Sequence, residues 1–201
     1  MPAQAKRLMA LDKNKDGRLA KDEVIDALAR FQGRGAQPAA SGAAGEAAKV
    51  VVIAMTSTTC PVSKRYAPSF ARLENELAAQ GVALLLVNPF ESEKAEEIAA
   101  FNKEQGFTAP YVHDAEKTFA AALRARSTTE VFLLDATRTL LYRGALDDQY
   151  GLSYNLDAPR VNYLRDAVSA LLAGGRPDIA ATEPPGCELD LPAEKSVATS
   201  R

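Results

Sequence analysis

The sequence has no long apolar run and almost no net charge. None of its apolar stretches approaches the roughly 20 residues that a membrane-spanning helix needs, so we expect no membrane span. A net charge of -2 gives no general attraction to nucleic acid, and no stripe of basic residues interleaved with aromatic ones is present. These absences argue against an integral membrane protein and against a nucleic acid-binding protein.

Cysteine and histidine are also scarce. The chain has two cysteines, Cys60 and Cys187, and one histidine, His113. Two cysteines can close one disulfide, act separately or share a metal ion. A lone histidine has no second ligand at metal-binding spacing, so His113 is most simply a loop or surface residue.

The composition that remains is that of a soluble globular protein, with 47% hydrophobic and 25% charged residues. Its length allows one domain of ordinary size and a small appendage. A linker rich in glycine, alanine, proline and serine occupies residues 33–48 and separates an N-terminal segment, residues 1–32, from a main domain, residues 49–175. Residues 176–201 contain Cys187 and several prolines, which predicts an extended C-terminal tail.

The N-terminal segment has the pattern of a helix, a twelve-residue loop and a helix, and it resembles an EF-hand. The loop follows the whole pattern D-x-D/N-x-D/N-G-x5-E, with Gly17 at the sharp turn. The resemblance implies Ca²⁺ binding, with a water molecule in the slot of Ala20. The implied ligands are Asp12, Asn14, Asp16, the backbone carbonyl of Arg18, and Glu23. The alternative is a polar helix–loop–helix that binds no ion.

Cys60 stands where a buried strand changes to a helix. Apolar residues from Val50 predict the strand, and the apolar positions Tyr66, Phe70, Leu73 and Leu77 predict one face of the helix. A thiol at a helix start meets unpaired backbone N–H groups and the positive end of the helix dipole, which favour the thiolate. Lys64 and Arg65 add positive charge nearby. We therefore expect an accessible Cys60 with a lowered pKa.

The remaining pattern predicts the element order β-α-β-α-β-α-β-β-α. The predicted ranges are a strand at 82–87, a helix at 92–106, an extended piece at 110–113, a helix at 115–124, strands at 130–135 and 139–144, and a helix at 159–173.

This order, with a cysteine before the first long helix and a closing hairpin and helix, resembles the thioredoxin superfamily. The family pattern C-x-x-C-K-x-x-x-P is matched by Cys60, Lys64 and Pro68, with Ser63 in place of the second cysteine. The resemblance implies an α/β fold with a central mixed sheet flanked by helices. It covers residues from about 49 to 173.

Within the superfamily, Ser57 to Pro61 resembles the peroxidatic loop of the peroxiredoxin branch, P-x-x-x-T/S-x-x-C. Segments 141–150 and 182–187 are similar to redoxin-domain proteins exported by bacteria. The branch's proline is replaced by Ile53, and no arginine immediately precedes the strand at 131–134. Thr129 occupies the position of the thioredoxin cis-proline, which favours a trans bond and adds a hydroxyl near the sulfur.

The principal hypothesis is thiol redox chemistry, either thiol–disulfide exchange or peroxide reduction. Cys60 is the predicted nucleophile and Cys187 the predicted resolving cysteine, provided that the tail folds back onto the domain. Lys64, Thr129 and Glu130 are the predicted supporting residues, and Glu130 could move a proton. The partner would be a thiol or disulfide protein, or a peroxide.

Two other classes stay open. Cys60, Cys187 and His113 could bind Cu(I), a soft ion, although the C-x-x-x-C of copper-delivery proteins with this fold is absent. The chain could instead be a calcium-regulated interaction module without catalysis. Asp147 and Asp148 could act as a base or a second metal site, or could form a solvated turn.

We expect the protein to be periplasmic or secreted, since extracellular calcium and persistent disulfides both suit that compartment. The first residues lack the apolar segment of a secretory signal, so a signal segment is not part of this chain.

Overall fold

The computed structural model describes residues 50–151 and 153–191. The predicted EF-hand at 1–32, the predicted linker at 33–48 and residues 192–201 of the predicted tail lie outside the described residues. The elements are β1 (Val50–Met55), α1 (Pro61–Ala79), β2 (Val82–Asn88), α2 (Ala95–Gln105), β3 (Tyr111–His113), α3 (Thr118–Leu123), β4 (Val131–Leu134), β5 (Leu140–Gly144) and α4 (Tyr163–Leu172). The predicted order of elements is confirmed.

Three helices begin later than the sequence predicts. Helix α3 starts at Thr118, because residues 115 and 116 form a turn. Helix α2 starts after Lys94, because residues 92 and 93 belong to the turn that precedes it. Helix α4 starts after Asn162. The carboxylate of Asp148 accepts hydrogen bonds from the N–H groups of Arg160 and Val161 and holds these residues in a loop. Side-chain capping of this kind competes with helix formation.

The five strands form one mixed sheet in the order β3-β2-β1-β4-β5. Strand β1 pairs in parallel with β2 and antiparallel with β4. Strand β3 is parallel to β2, and β5 is antiparallel to β4. This is the central mixed sheet with flanking helices of a thioredoxin-like fold.

Both faces of the sheet are covered, as the apolar strands require. Alternate residues of β1 point to opposite faces. Val52 packs in a cluster with residues of α1 and α4, whereas Ile53 packs in a second cluster with Phe119 of α3. Every residue of β1 is buried. The sheet is therefore a rigid middle layer that fixes the loops at its edge.

The antiparallel pairing of β1 and β4 positions the candidate site. Ala54 lies opposite Val131, and the N–H of Met55 donates to the carbonyl of Glu130 at 2.8 Å. The end of β1 and the start of β4 consequently meet at the same edge of the sheet. Residues 56–59, which we name the first loop, lie beside residues 126–130, which we name the second loop.

Residues 176–191 form an extended C-terminal arm that returns along the domain. The N–H of Arg143 in β5 donates to the carbonyl of Ala180 at 3.1 Å, and the N–H of Thr182 donates to the carbonyl of Arg143 at 3.1 Å. Further along, Leu189 is buried in the core cluster that includes Phe119. The arm thus covers the free edge of β5 and then crosses the second loop.

Candidate redox site

Cys60 is the N-cap residue of α1, as the sequence predicts. Its backbone is extended, with φ -68° and ψ 123°. Pro61 follows at the first helical position, where a missing N–H leaves no hydrogen bond unmade. The N–H of Cys60 donates to Ser57 Oγ at 3.0 Å, which ties the cysteine to the first loop. The thiol therefore stands at the positive end of a 19-residue helix.

Hydrogen bonds to the sulfur of Cys60 favour its thiolate form. Thr128 Oγ1 donates to Cys60 Sγ at 3.0 Å. Burial raises the pKa of Cys60, but hydrogen bonds from the Thr128 hydroxyl, the Ser63 backbone and Cys187 outweigh burial and lower the pKa to about 7. Lys64, which was expected to supply charge, is exposed on the first turn of α1.

Cys187 lies directly beside Cys60, although 127 positions separate them in the chain. Its thiol donates to Cys60 Sγ, and the two sulfur atoms are 3.2 Å apart. Both cysteines are free thiols. The pKa of Cys187 is raised, first by this hydrogen bond to Cys60, then by burial and by the charge that Cys60 carries when ionised. The pair thus combines one acidic thiol with one thiol that holds its proton.

The backbone of the second loop holds Cys187 at this distance. The N–H of Thr128 donates to the carbonyl of Cys187 at 3.0 Å, and the N–H of Cys187 donates to Thr128 Oγ1 at 3.0 Å. The arm can approach this closely because residue 186 is glycine. Its φ is +116°, and a Cβ there would lie 2.7 Å from both Ser127 Oγ and Thr128 Oγ1. A side chain at 186 would push Cys187 away from Thr128.

Access to the two sulfur atoms differs, and here the expectation of an accessible Cys60 is wrong. Cys60 is only 3% exposed, whereas Cys187 is exposed. The reason is tertiary: the arm crosses the site, and Ser127 and Thr129 donate hydroxyl hydrogen bonds to the carbonyl of Pro185. Cys60 is a buried thiol with an exposed thiol above it.

The buried carboxylate of Glu93 organises the first loop. Glu93 is 2% exposed and lies in the turn before α2. Burial raises its pKa, but hydrogen bonds from Ser57, Thr58, Asn88 and Thr59 dominate and lower the pKa to about 2. The donors are Ser57 Oγ, Thr58 N at 2.8 Å, Thr58 Oγ1 at 2.6 Å, Thr59 N at 3.1 Å, Thr59 Oγ1 at 2.7 Å and Asn88 Nδ2 at 2.7 Å. The carboxylate therefore stays ionised and fixes the loop that carries Cys60.

Sequence reasoning missed both Glu93 and Thr128. Glu93 lies in the acidic stretch from Glu91 to Glu97, which looks like an exposed helix start. Its one distinguishing signal is the run of four hydroxyl residues at 56–59, whose buried donors need acceptors. Thr128 adjoins Thr129, which was expected to place its hydroxyl near the sulfur.

The other supporting residues lie around the second loop. The bond before Thr129 is trans, and its hydroxyl donates to the arm. Glu130 is fully buried, and its carboxylate accepts hydrogen bonds from Arg143 Nε at 2.8 Å and from the N–H of Arg126 at 2.6 Å. Its contacts form an ion-pair network, and its role in proton transfer stays a prediction.

Two further candidate residues, His113 and Asp147, make hydrogen bonds away from the two sulfur atoms. His113 Nε2 is 2.8 Å from the carbonyl of Phe90. Asp147 is buried rather than part of a solvated turn, and it accepts from the hydroxyl of Tyr66 at 2.9 Å.

Within residues 50–151 and 153–191, no group of three or more His, Cys, Asp or Glu side chains is arranged to hold a metal ion. In the same part of the chain, no helix is long and apolar enough to cross a membrane.

Comparison with known proteins relates this site to a family. The model of the AhpC/TSA family matches residues 24–143. No curated protein matches the chain.

Solved structures share the fold. A hypothetical protein from Sinorhizobium meliloti 1021 is 29% identical, with a TM-score of 0.64 over 73% of this chain and 81% of that chain. An uncharacterized conserved protein from Geobacillus kaustophilus is 25% identical, with a TM-score of 0.63 over 73% and 79%. A thioredoxin-like protein in its oxidized form is 18% identical, with a TM-score of 0.51 over 66% and 82%, and shows the fold alone.

Proposed function

The chain belongs to the AhpC/TSA family, which supports a thiol redox role, and from this premise we propose that Cys60 and Cys187 form a redox couple for thiol–disulfide exchange. The observation that carries the proposal is the distance of 3.2 Å between the two sulfur atoms. A disulfide bond is about 2.05 Å long, so a movement of about 1 Å would allow the bond to form. The reduced couple would give two electrons to a partner disulfide, and the oxidised couple would take two electrons from a partner dithiol.

The lowered pKa of Cys60 supports this chemistry. Thiolates, not thiols, attack disulfides, and a pKa of about 7 provides a substantial thiolate fraction at neutral pH. The thiol of Cys187, which keeps its proton, would lose it as the bond to Cys60 forms. The sequence-based order has Cys60 attack the partner first and Cys187 displace it. In the opposite order, Cys187 reacts with the partner and Cys60 displaces it, and the same two electrons are transferred.

The test is to oxidise the protein with diamide and digest it without reduction, so that mass spectrometry identifies a Cys60–Cys187 peptide. Titration against glutathione buffers of defined potential then follows the same bond. We expect the linked peptide and a single reversible two-electron transition. In an insulin-reduction assay, Cys60→Ser and Cys187→Ser should each abolish turnover. Full turnover by both variants, or no linked peptide, would refute the couple.

Peroxide reduction is the second candidate, because the family match favours it. A peroxide would oxidise Cys60 to a sulfenic acid, which Cys187 would then convert to the same disulfide. Two arginines lie at the second loop: Arg143 Nε donates to Glu130, and the guanidinium of Arg126 donates to Glu183 and to the carbonyl of Thr182. Rapid disulfide formation at micromolar hydrogen peroxide, abolished in Cys60→Ser, would favour this candidate over disulfide exchange.

We also propose that the N-terminal segment, residues 1–32, binds Ca²⁺. The complete loop pattern in the sequence supports Ca²⁺ binding. The proposed ligands are Asp12, Asn14, Asp16, the backbone carbonyl of Arg18, and Glu23. Calorimetric titration should detect one site, which Glu23→Gln should remove. No heat of binding in the full chain would reject the EF-hand.

Two adjacent thiolates could also bind Cu(I). Anaerobic titration of the reduced protein with Cu(I) and a competing chelator would separate copper delivery from exchange. A calcium-regulated interaction module without catalysis predicts an ordinary Cys60 pKa and no turnover. The export of the protein is likewise a proposal, and fractionation of cells that produce the natural gene product would test it.

A further inference from the structure

The two sulfur atoms of the couple differ sharply in access. Cys60 is 3% exposed and lies beneath the arm, whereas Cys187 is exposed. A thiolate carried by another molecule must come into contact with the sulfur atom that it attacks. Contact with Cys60 would require the arm to leave the second loop, which breaks the hydrogen bonds between Thr128 and Cys187. Contact with Cys187 requires no such opening.

Resting on the proposed function, we propose that exchange with an external dithiol takes place at Cys187, and that Cys60 is the internal sulfur that leaves when the disulfide opens and attacks when it closes. This reverses the order that the sequence suggests. The substrate class in the reducing direction is a dithiol, because a second thiol is needed to release the partner.

The electron balance of the reduction is simple. A partner thiolate attacks Cys187 Sγ, the Cys60–Cys187 bond breaks, and Cys60 leaves as a thiolate. The partner is now bound to Cys187 by a mixed disulfide. The partner's second thiolate then attacks its own bound sulfur, which releases Cys187 and forms the partner's disulfide. Cys187 takes up a proton, the couple gains two electrons, and the partner loses two.

The surroundings of Cys60 suit a leaving group. Thr128 Oγ1 lies 3.0 Å from its sulfur and can donate to the negative charge that develops as the bond breaks. In thiol–disulfide exchange a thiol of lower pKa leaves faster, and hydrogen bonds from the Thr128 hydroxyl and the Ser63 backbone lower the pKa of Cys60. Geometry and leaving-group quality thus favour attack on the same atom.

The main experiment uses the full chain, oxidised with diamide, and glutathione as a monothiol probe. The reaction is quenched with acid and N-ethylmaleimide after a short time, and the peptides are mapped by mass spectrometry. We expect glutathione on Cys187 and N-ethylmaleimide on Cys60, in at least about tenfold excess over the reverse pattern. Glutathione mainly on Cys60 would overturn the proposal. Failure to form the Cys60–Cys187 bond at all would instead refute the proposed function.

A second measurement compares the single-cysteine variants. Each variant keeps one cysteine: Cys187 in Cys60→Ser, and Cys60 in Cys187→Ser. The rate of its reaction with a chromogenic disulfide reagent is measured and divided by its measured thiolate fraction. We expect Cys187 to react at least about tenfold faster per thiolate in the folded state. In guanidinium chloride this difference should disappear, since access is then equal. A faster folded-state reaction at Cys60 would contradict the proposed order.

Discussion

The two loops around the sulfur atoms are both rich in hydroxyl side chains, but these side chains bind different partners in each loop. The first contains four hydroxyl residues at 56–59, and the second contains three at 127–129. In the first loop the hydroxyl groups of Ser57, Thr58 and Thr59 donate to the carboxylate of Glu93. In the second loop two donate to the carbonyl of Pro185 in the arm, and the third donates to Cys60 Sγ. The first loop is thus an internal support, and the second holds the arm and the thiolate.

The buried glutamates beside these loops are also neutralised differently. Glu93 accepts hydrogen bonds from uncharged hydroxyl, amide and backbone donors. Glu130 accepts from Arg143 and is also 3.6 Å from Arg126 Nε. Removal of the first carboxylate leaves several buried donors without an acceptor. Removal of an arginine leaves a buried charge with only part of its compensation.

The largest effect is expected from Glu93→Ala. Each buried donor that loses its acceptor costs about 1–3 kcal/mol, and these costs overlap, so we expect a loss of about 4 kcal/mol in the free energy of unfolding. Urea unfolding measures this loss. The matched control is Glu91→Ala, which removes an exposed carboxylate and should change stability by less than about 0.5 kcal/mol. Equal stability of the two variants would show that Glu93 does not hold the first loop.

The same carboxylate predicts an acid transition. Glu93 has a folded-state pKa of about 2, which is below its value of about 4.3 in an unfolded chain. Its contribution to stability is therefore present above pH 4.3 and is lost as the pH falls toward 2. This contribution amounts to about 3 kcal/mol. In Glu93→Gln the free energy of unfolding should lack this part of the pH dependence. The same loss of stability at low pH in Glu93→Gln and in the unaltered protein would show that Glu93 is not its source.

Arg143→Met tests the ion pair beside the second loop. Loss of one partner of a buried pair costs about 3–5 kcal/mol, but Arg126 compensates in part, so we expect about 2 kcal/mol. Arg160→Met, at an exposed position, is the control. The double variant Glu130→Gln with Arg143→Met should recover part of the loss, because no unpaired charge then stays buried. If the double variant is no more stable than Arg143→Met, loss of the ion pair does not explain the lower stability of Arg143→Met.

The clamp on the arm is tested by Ser127→Ala combined with Thr129→Val. The two hydrogen bonds to Pro185 contribute about 1 kcal/mol each, so the arm should open more often. We expect alkylation of Cys60 by iodoacetamide to become about tenfold faster, with a smaller change in global unfolding. Thr137→Val in the β4–β5 turn is the control. An unchanged rate would mean that other contacts keep Cys60 covered.

The smallest energetic effect is expected from Thr128→Val, which removes the hydroxyl that donates to Cys60. The pKa of the first thiol to titrate should rise from about 7 by roughly 1 unit, worth about 1.4 kcal/mol. The ultraviolet absorbance of the thiolate against pH measures this shift. Thr128→Ser keeps the donor and should keep the low pKa. A low pKa in Thr128→Val would assign the effect to the other donors, the Ser63 backbone and Cys187.

Much of the fold could be predicted because its signals are local. The apolar run from Val50, the helical spacing of Tyr66 and Phe70, and Gly106 at a helix end each identify an element from a few neighbouring residues. The start of α4 could not be predicted, since Asp148 captures N–H groups that lie twelve and thirteen positions later. The acceptor for the first loop was missed because Glu93 is some 35 positions away from the hydroxyls that it binds.

Local sequence patterns were enough to place a cysteine at the start of a long helix, after a buried strand. Helix periodicity and strand composition are short-range properties and survive without tertiary contacts. Three features of the site depend on the folded chain: Cys187 lies 3.2 Å from Cys60, Cys60 is covered, and Thr128 donates to the sulfur of Cys60. The physical reason is that these contacts depend on an antiparallel strand pair and on an arm anchored by Leu189, which bring together residues up to 127 positions apart.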